Sequence, residues 1–350
     1  MKKQTVMKKV LPAAAFLAIA LALLFLLQAL LMPKYMTDIR EGAMIAEYYG
    51  SVPRHSVVFF GDCEIYNAVN PAVLWDEYGI PSWVRGSAQQ LIFQTYYLME
   101  ETLDTEKPDI VVFNAVEMLI GKVQKETYTR MTLDGMRFSR TKIEAVKTSL
   151  TEGESFASYF LPILRYHSRW NDLTKEDFEY WFCRDKVTYG GYLMTAGVQA
   201  MDDAHRKDPQ AIAKPIPDNC WEWLDKIREL CAEKGTTLIL LKSPTDTVNY
   251  PWYDTYEEQV SAYAEKYGIR YINAIREAEI IGTDSAVDYC DGGDHLSYIG
   301  AERLSRYLGK IFREEYGLPD LHGDRELAAE WDETVQNYKA ARTAAESGIQ

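Results

Sequence analysis

From Val10 to Met32 the chain runs VLPAAAFLAIALALLFLLQALLM, 23 residues without a charge. As a helix rising ~1.5 Å per residue the run would reach about 34 Å, enough to cross the hydrocarbon core of a bilayer. It predicts a transmembrane anchor over 10–32 with a cytoplasmic tail over 1–9. Lys2, Lys3, Lys8 and Lys9 precede the run, whereas Lys34, Asp38, Arg40 and Glu41 follow it without net charge, and the positive-inside rule keeps the basic flank in the cytoplasm. Everything after Met32 is then expected outside. A cleaved signal peptide is the competing reading, but its apolar region would be roughly 7–15 residues and end at a small-x-small site. This run is longer and ends QALLMPKYM. Pro12 fits either case, because a proline in the first turn gives up no intrahelical donor.

The whole chain has 350 residues, 47% of them hydrophobic and 26% charged, which suits one large folded domain or two small ones. Acids outnumber bases 52 to 38, a formal charge of −14, which argues against nucleic acid as a partner, since its binding normally depends on clustered cations. The five cysteines, at 63, 183, 220, 231 and 290, form no CxxC pair and no Cys/His cluster at zinc spacing. Neither a structural zinc site nor a disulfide scaffold is expected.

Residues 33–55 carry apolar positions at helical spacing and are read as a juxtamembrane helix. Short, near-continuous apolar runs follow: SVVFF from Ser56, PSWVR around Trp83, DIVVFN from Asp109, TTLILLK from Thr236 and IRYIN from Ile269. Strands buried on both faces look like this. Helical stretches lie between them, Gln89 to Leu103, Cys220 to Lys234, Thr255 to Tyr267 and Tyr298 to Tyr316. The alternation predicts an α/β fold over 56–318, a doubly wound, flavodoxin-like parallel sheet of about five strands flanked by helices. One interval, about 116–219, shows helical and loop signals without a core strand, and is read as a mainly helical insertion. The charged, alanine-rich end, 319–350, reads as a surface helix fraying towards Gln350.

Ligands of an open parallel sheet collect at the carboxyl ends of its strands. Here those exits read FFGDCEIYN, VRGSAQQ and FNAVEM, and the loop before the last helix of the sheet reads YCDGGDHLSYIGAERLS. Together they resemble the SGNH, or GDSL-like, hydrolase and acyltransferase superfamily over roughly residues 56–316. That pattern has a nucleophilic serine in a G-D-S context, then a glycine, then an asparagine, then a late D-x-x-H. The matching positions are Gly61, Asp62 and Cys63, then Gly86, then Asn114, then His295. The segment GDCEIYNAVNPAVLWDEYGIPSWVRGSAQQ is similar to a group of membrane-anchored SGNH-type proteins of Gram-positive bacteria linked to cell-envelope polymers. Two positions depart from the pattern. Cys63 replaces the serine, and Gly292 stands three residues before His295, with Asp291 four before it and Asp294 adjacent.

The resemblance implies Cys63 as nucleophile, His295 as base and Asp291 as the orienting acid, with Asp294 as the alternative acid. It also implies an oxyanion hole from the backbone of Cys63 and Gly86 and the amide of Asn114. A thiol can serve, because the thiolate is a strong nucleophile. A helix beginning at Cys63 would favour it, while Asp62 and Glu64 would oppose it, so activation is expected to fall to His295. No cofactor and no metal is called for. The implied activity is that of an extracytoplasmic esterase or O-acyltransferase acting on a cell-envelope glycan, with a membrane-embedded acyl-donor partner. The alternative is a degenerate SGNH scaffold that serves as a glycan-binding or assembly module.

Other residues carry double readings. Asp284, Asp288, Asp291 and Asp294 suggest a calcium loop but lack the alternating EF-hand spacing. Ser297 can cap the helix after His295 without any catalysis. Cys290 is near enough in sequence to His295 that a disulfide to Cys63 is conceivable. In RYHSRW, the residues Arg165, His167, Arg169 and Trp170 concentrate basic and aromatic groups, as a site for an anionic or sugar-like ligand would, or as a packed helix face would. Trp221, Trp223, Trp252 and Tyr253 read equally as a sugar platform or as core.

Overall fold

The computed structural model describes residues 2–32, 43–179, 186–200, 214–245 and 252–348. Residues 33–42 of the expected juxtamembrane helix, and Cys183, lie outside the described residues. The first helix, α1, spans Lys2–Leu31, and its Leu11–Leu31 portion is long and apolar enough to cross a membrane. Its side chains from Leu11 to Leu27 are mostly exposed, as those of a core helix are not.

A short helix, α2 (Ala43–Glu47), leads into the sheet. The sequence then proceeds through β1 (Val57–Gly61), α3 (Cys63–Tyr66), α4 (Pro71–Tyr78), β2 (Ser82–Gly86), α5 (Ile92–Thr105) and β3 (Ile110–Asn114). The interval after β3 holds α6 (Glu126–Leu133), α7 (Arg140–Ser149), α8 (Ile163–Tyr166) and α9 (Lys175–Glu179). The sheet resumes with α10 (Asp218–Lys234), β4 (Thr237–Lys242), α11 (Tyr253–Tyr267) and β5 (Arg270–Asn273). Last come α12 (Ala278–Ile281), α13 (Tyr298–Glu314) and α14 (Arg325–Glu346).

All five strands are parallel, in the order β2-β1-β3-β4-β5, so the expected doubly wound α/β fold is the one observed. Alternation along each strand sends side chains to two separate cores. Val57, Phe59, Ile110, Val112, Ile239 and Leu241 face the layer holding α4, α13 and α14. Val58, Phe60, Val111, Phe113, Leu238 and Leu240 face α5, α10 and α11. The strands therefore read as unbroken apolar runs because both faces are covered.

The carboxyl-terminal helix corrects the expectation of a fraying surface element. Leu327, Trp331, Val335 and Tyr338 recur at helical spacing and are buried against the sheet layer. Trp75 Nε1 donates to Asp332 Oδ1 (2.9 Å) and Lys339 pairs with Asp76, pinning α14 to α4. Alanines and charges on its other face conceal this stripe in the composition.

Candidate active site

The order of the sheet reverses at β1, which has β2 on one side and β3 on the other, and the crevice beyond such a reversal is where a ligand is received. Gly61 ends β1, Asp62 caps α3 with its side chain on the Glu64 N–H (3.1 Å), and Cys63 is the first residue of α3. As a first-turn residue, Cys63 presents an N–H with no intrahelical acceptor. The β2 exit lies so close that a Cβ on Gly86 would meet the Gly61 carbonyl oxygen at 2.9 Å, so only glycine allows this approach. Beyond it, Gln89 has φ 51, the one positive φ on a non-glycine residue among the described residues, in the loop that leaves β2. From β3, Asn114 Nδ2 donates to Asp62 Oδ1 (3.1 Å), which leaves the second amide hydrogen for other use.

The opposite wall is the turn before α13. Asp291 Oδ1 accepts from the N–H groups of Asp294 (3.2 Å) and His295 (2.8 Å), and its Oδ2 lies 2.5 Å from His295 Nδ1. Gly292 (φ 82) and Gly293 (φ 116) take backbone conformations that other residues rarely adopt. That turn absorbs the extra residue between acid and histidine, so the shifted spacing still brings a carboxylate to Nδ1. Asp291, not Asp294, is the residue so placed. With Nδ1 committed to Asp291, Nε2 is the ring nitrogen left for Cys63, and the thiol and imidazole lie near enough that each acts on the other's proton affinity. Cys63, His295 and Asp291 are thus brought together beside Gly86 and Asn114.

The electrostatics are uneven. Burial, then the charge of Asp62, pushes the Cys63 thiol above its ordinary range, against the pull of His295, while Glu64 adds the least. The opposition expected from Asp62 is present, but burial, which the sequence did not reveal, outweighs it. At Cys63 the influence of Glu64 is the smallest, and its charge is countered by Lys242 Nζ, 2.7 Å from its Oε2 in a buried pair. Asp62 is pushed up to about 7, by burial first and by Glu64 second. On His295, burial acts downward, but the bonds to Asp291 and Cys63 prevail and raise it to about 11. Asp291 is held low by the hydrogen bonds from His295 and from backbone N–H groups, against the effect of burial.

Three features escaped the sequence reading. Glu117 is buried behind Asp62, takes a hydrogen bond from Thr95 Oγ1 (2.9 Å) and is held well above the usual carboxylate range by burial. Lys242 supplies the counter-charge of Glu64, and its signal was a lysine closing an otherwise apolar central strand. The segment around 193–199 straps the two walls together. Leu193 N donates to Tyr66 O (2.9 Å), Tyr298 N to Thr195 O (3.0 Å) and Gln199 N to Tyr289 O (2.9 Å).

The remaining candidates have other partners. Arg165 pairs with Glu126 (3.0 Å); Arg169 bonds to the Leu31 carbonyl (2.8 Å) and to Asp177; Trp170 is exposed and His167 lies in the same short turn. These contacts lead to the end of α1 and not to the triad. Trp221 stacks on Tyr263 (5.3 Å), Trp223 lies against Tyr96 (5.3 Å), Trp252 against Tyr256 (5.5 Å), and Tyr253 accepts from Asn273. These aromatic groups pack the α10 and α11 layer. Cys63 and Cys290 are both free thiols, Cys290 Sγ facing the His295 carbonyl oxygen at 3.5 Å, so the conceivable disulfide is not formed. Asp288 bonds to Arg303 (3.1 Å) and Asp284 accepts from the Ala286 N–H, so those acids serve the turn's own structure.

No protein-family model matches the chain, and no curated protein matches it. Among solved structures it is similar to a protein provisionally described as an acylhydrolase from Bacteroides fragilis, at 12% identity and TM-score 0.38, covering 77% of this chain and 94% of that one. It is similar also to a GDSL-like lipase from Bacteroides thetaiotaomicron, at 14% identity and TM-score 0.36, covering 78% and 95% respectively.

Proposed function

We propose that the protein is a membrane-anchored, extracytoplasmic SGNH-like esterase or O-acyltransferase that modifies a cell-envelope glycan through a Cys63–His295–Asp291 triad. The observation that carries this is the His295–Asp291 hydrogen bond, in a turn that sets the imidazole close enough to Cys63 at the β1 exit for each to act on the other's proton affinity. In the reaction, carried by the form in which the imidazole is neutral and so favoured towards alkaline pH, the Cys63 sulfur attacks an acyl carbonyl carbon while His295 Nε2 takes the thiol proton. The carbonyl π pair moves to oxygen, and the Cys63 and Gly86 N–H groups with the spare Asn114 amide hydrogen meet that oxyanion. Collapse expels the donor alkoxide, which recovers the proton from His295 and leaves a thioester. A sugar hydroxyl or water, deprotonated by the same imidazole, then attacks the thioester carbonyl; the C–S bond breaks and the departing Cys63 sulfur recovers the proton from His295. Asp291 holds the ring and stabilises its cationic form. Losing one oxyanion donor in such a site typically costs about 3 kcal/mol of barrier. Support for anchoring is the length and apolar surface of α1; the glycan acceptor and an acyl-donating membrane partner follow from the resemblance described above.

The test is intact mass spectrometry of the full chain in detergent after incubation with an activated acetyl ester. One acetyl adduct is expected, mapped to Cys63 and absent from Cys63→Ala. No adduct with any of several acyl donors, together with glycan affinity indifferent to Cys63→Ala, would instead establish a binding or assembly module.

A further inference from the structure

Beyond α1, nine large apolar side chains are exposed among the described residues, and six of them, Phe138, Phe156, Leu161, Leu164, Trp170 and Phe178, fall in one stretch of the insertion. Phe138 is 78% exposed and Trp170 67%. Folded surfaces usually scatter such residues singly, and their gathering marks a surface that meets something apolar. Phe160 links two of them, its ring 5.7 Å from Phe138 and 5.0 Å from Phe156.

The same stretch grips the end of the apolar helix. Leu30 and Leu31 are buried there, α1 packs on α8 and α9, and Arg169 Nη1 donates to the Leu31 carbonyl at 2.8 Å, satisfying a helix-end acceptor. A cleft of about 260 Å³ joins the helix to the patch, lined by Phe25 and Ala29 of α1, Met32 just after it and Phe138, Tyr159, Phe160 and Pro162 of the insertion, with Gln28, Asp134 and Lys142 also on its wall.

We propose that residues 138–178 form an interfacial belt seating the exterior domain on the lipid bilayer where α1 emerges, with Phe138, Leu164 and Trp170 entering the boundary between headgroups and acyl chains. This rests on reading α1 as a membrane span. The occupant is the bilayer because the patch adjoins the one helix among the described residues that is long and apolar enough to cross a membrane, at the end packed on the folded domain. An indole suits the water–lipid boundary, as do the long cationic side chains near it in sequence, Arg165 (51% exposed, paired with Glu126) and Lys175 (88% exposed, paired with Glu179). RYHSRW then belongs to the membrane contact and not to a glycan site.

The full chain reconstituted into phosphatidylcholine vesicles tests this in two arms. Flotation after carbonate washing reports the span. Quenching of tryptophan fluorescence by phosphatidylcholine brominated high on the acyl chain reports the belt, as the difference between wild type and Trp170→Phe. Wild type is expected to float, and Trp170→Phe to lose at least about half of the lipid-dependent quenching with an unchanged circular dichroism spectrum. Flotation with equal quenching in the two proteins overturns the belt and leaves the anchor standing. Failure to float overturns both. Copy-to-copy cross-linking through Trp170→Cys, without lipid quenching at that position, overturns the belt in favour of a second copy of the chain.

Discussion

Asp62 and Asp291 stand on opposite walls of one crevice and are driven in opposite directions. Asp62, on the sheet side, is sealed beside a second carboxyl group and its acidity weakens to about 7. Asp291, on the loop side, is 41% exposed, is wrapped by donors and stays ionised. The sheet side supplies position and loads it with negative charge, whereas the loop side supplies the proton acceptor. A thiol placed between the two is held in its protonated form until the imidazole acts, unlike thiols whose ionisation is favoured in advance. Activation in this molecule therefore resides in the α13 turn, and the nucleophile's own surroundings oppose it.

The largest expected effect tests that division. His295→Ala should slow alkylation or acylation of Cys63 by roughly 10²–10⁴-fold, the usual worth of a positioned general base. Labelling kinetics followed by intact mass measure it. A residual rate near that of wild type would mean that the sheet side activates the thiol after all. Lys242→Met strikes the other wall. It leaves Glu64 buried without its cation, and breaking a buried pair in this way costs about 3–5 kcal/mol. Thermal denaturation should show the loss, and Glu64→Leu combined with Lys242→Met should recover most of it. Destabilisation of the double variant equal to that of the single one would remove the pair from the account.

How much of this was visible in the chain follows the same division. The five strands were legible because two-sided burial leaves unbroken apolar runs, and so were Cys63, Gly86 and Asn114 at the strand ends and His295 in the turn before the amphipathic α13. Glu64 and Lys242 were not paired in advance, since they lie 178 residues apart and only the β1-β3-β4 order brings them together. The strap of 193–199 has no periodicity, because it works through backbone hydrogen bonds to which side-chain patterns are blind. RYHSRW was legible as an unusual cluster but not in its direction, because its partner, the Leu31 carbonyl, is 138 residues away.

A smaller effect sharpens the comparison from the loop side. With Asp291→Asn, burial still acts downward on His295 while a main upward influence is gone, so the imidazole loses its proton at a lower pH. The wild-type rate of Cys63 labelling should climb without a plateau through the alkaline range. That of Asp291→Asn should level off nearer neutrality, at a lower maximum because the ring is no longer held. A profile lowered in height but unmoved along the pH axis would show that Asp291 only orients.

The smallest effect concerns Asp62→Asn, which keeps an oxygen to accept from Glu64 N and Asn114 Nδ2 but removes the charge. The folded chain holds the Asp62 proton up to about 7, whereas an unfolded aspartate releases it near 3.9. Between those values the folded state binds more protons, so this group's contribution to stability falls as pH rises and reaches its lowest level above about 7. The melting-temperature advantage of Asp62→Asn over wild type should accordingly grow from pH 4 to 7 and then stay constant. Thiol reactivity should follow the same window. Below it Asp62 is neutral and the two proteins should react alike; above it the wild type carries a charge beside the sulfur, and the variant should react faster by roughly three- to tenfold, a change of up to one unit in the thiol's pKa. An equal gain at pH 5 and pH 9 would show that the carboxyl group acts through space-filling or hydrogen bonding. A gain confined to the higher pH assigns the restraint on Cys63 to the charge of its neighbour.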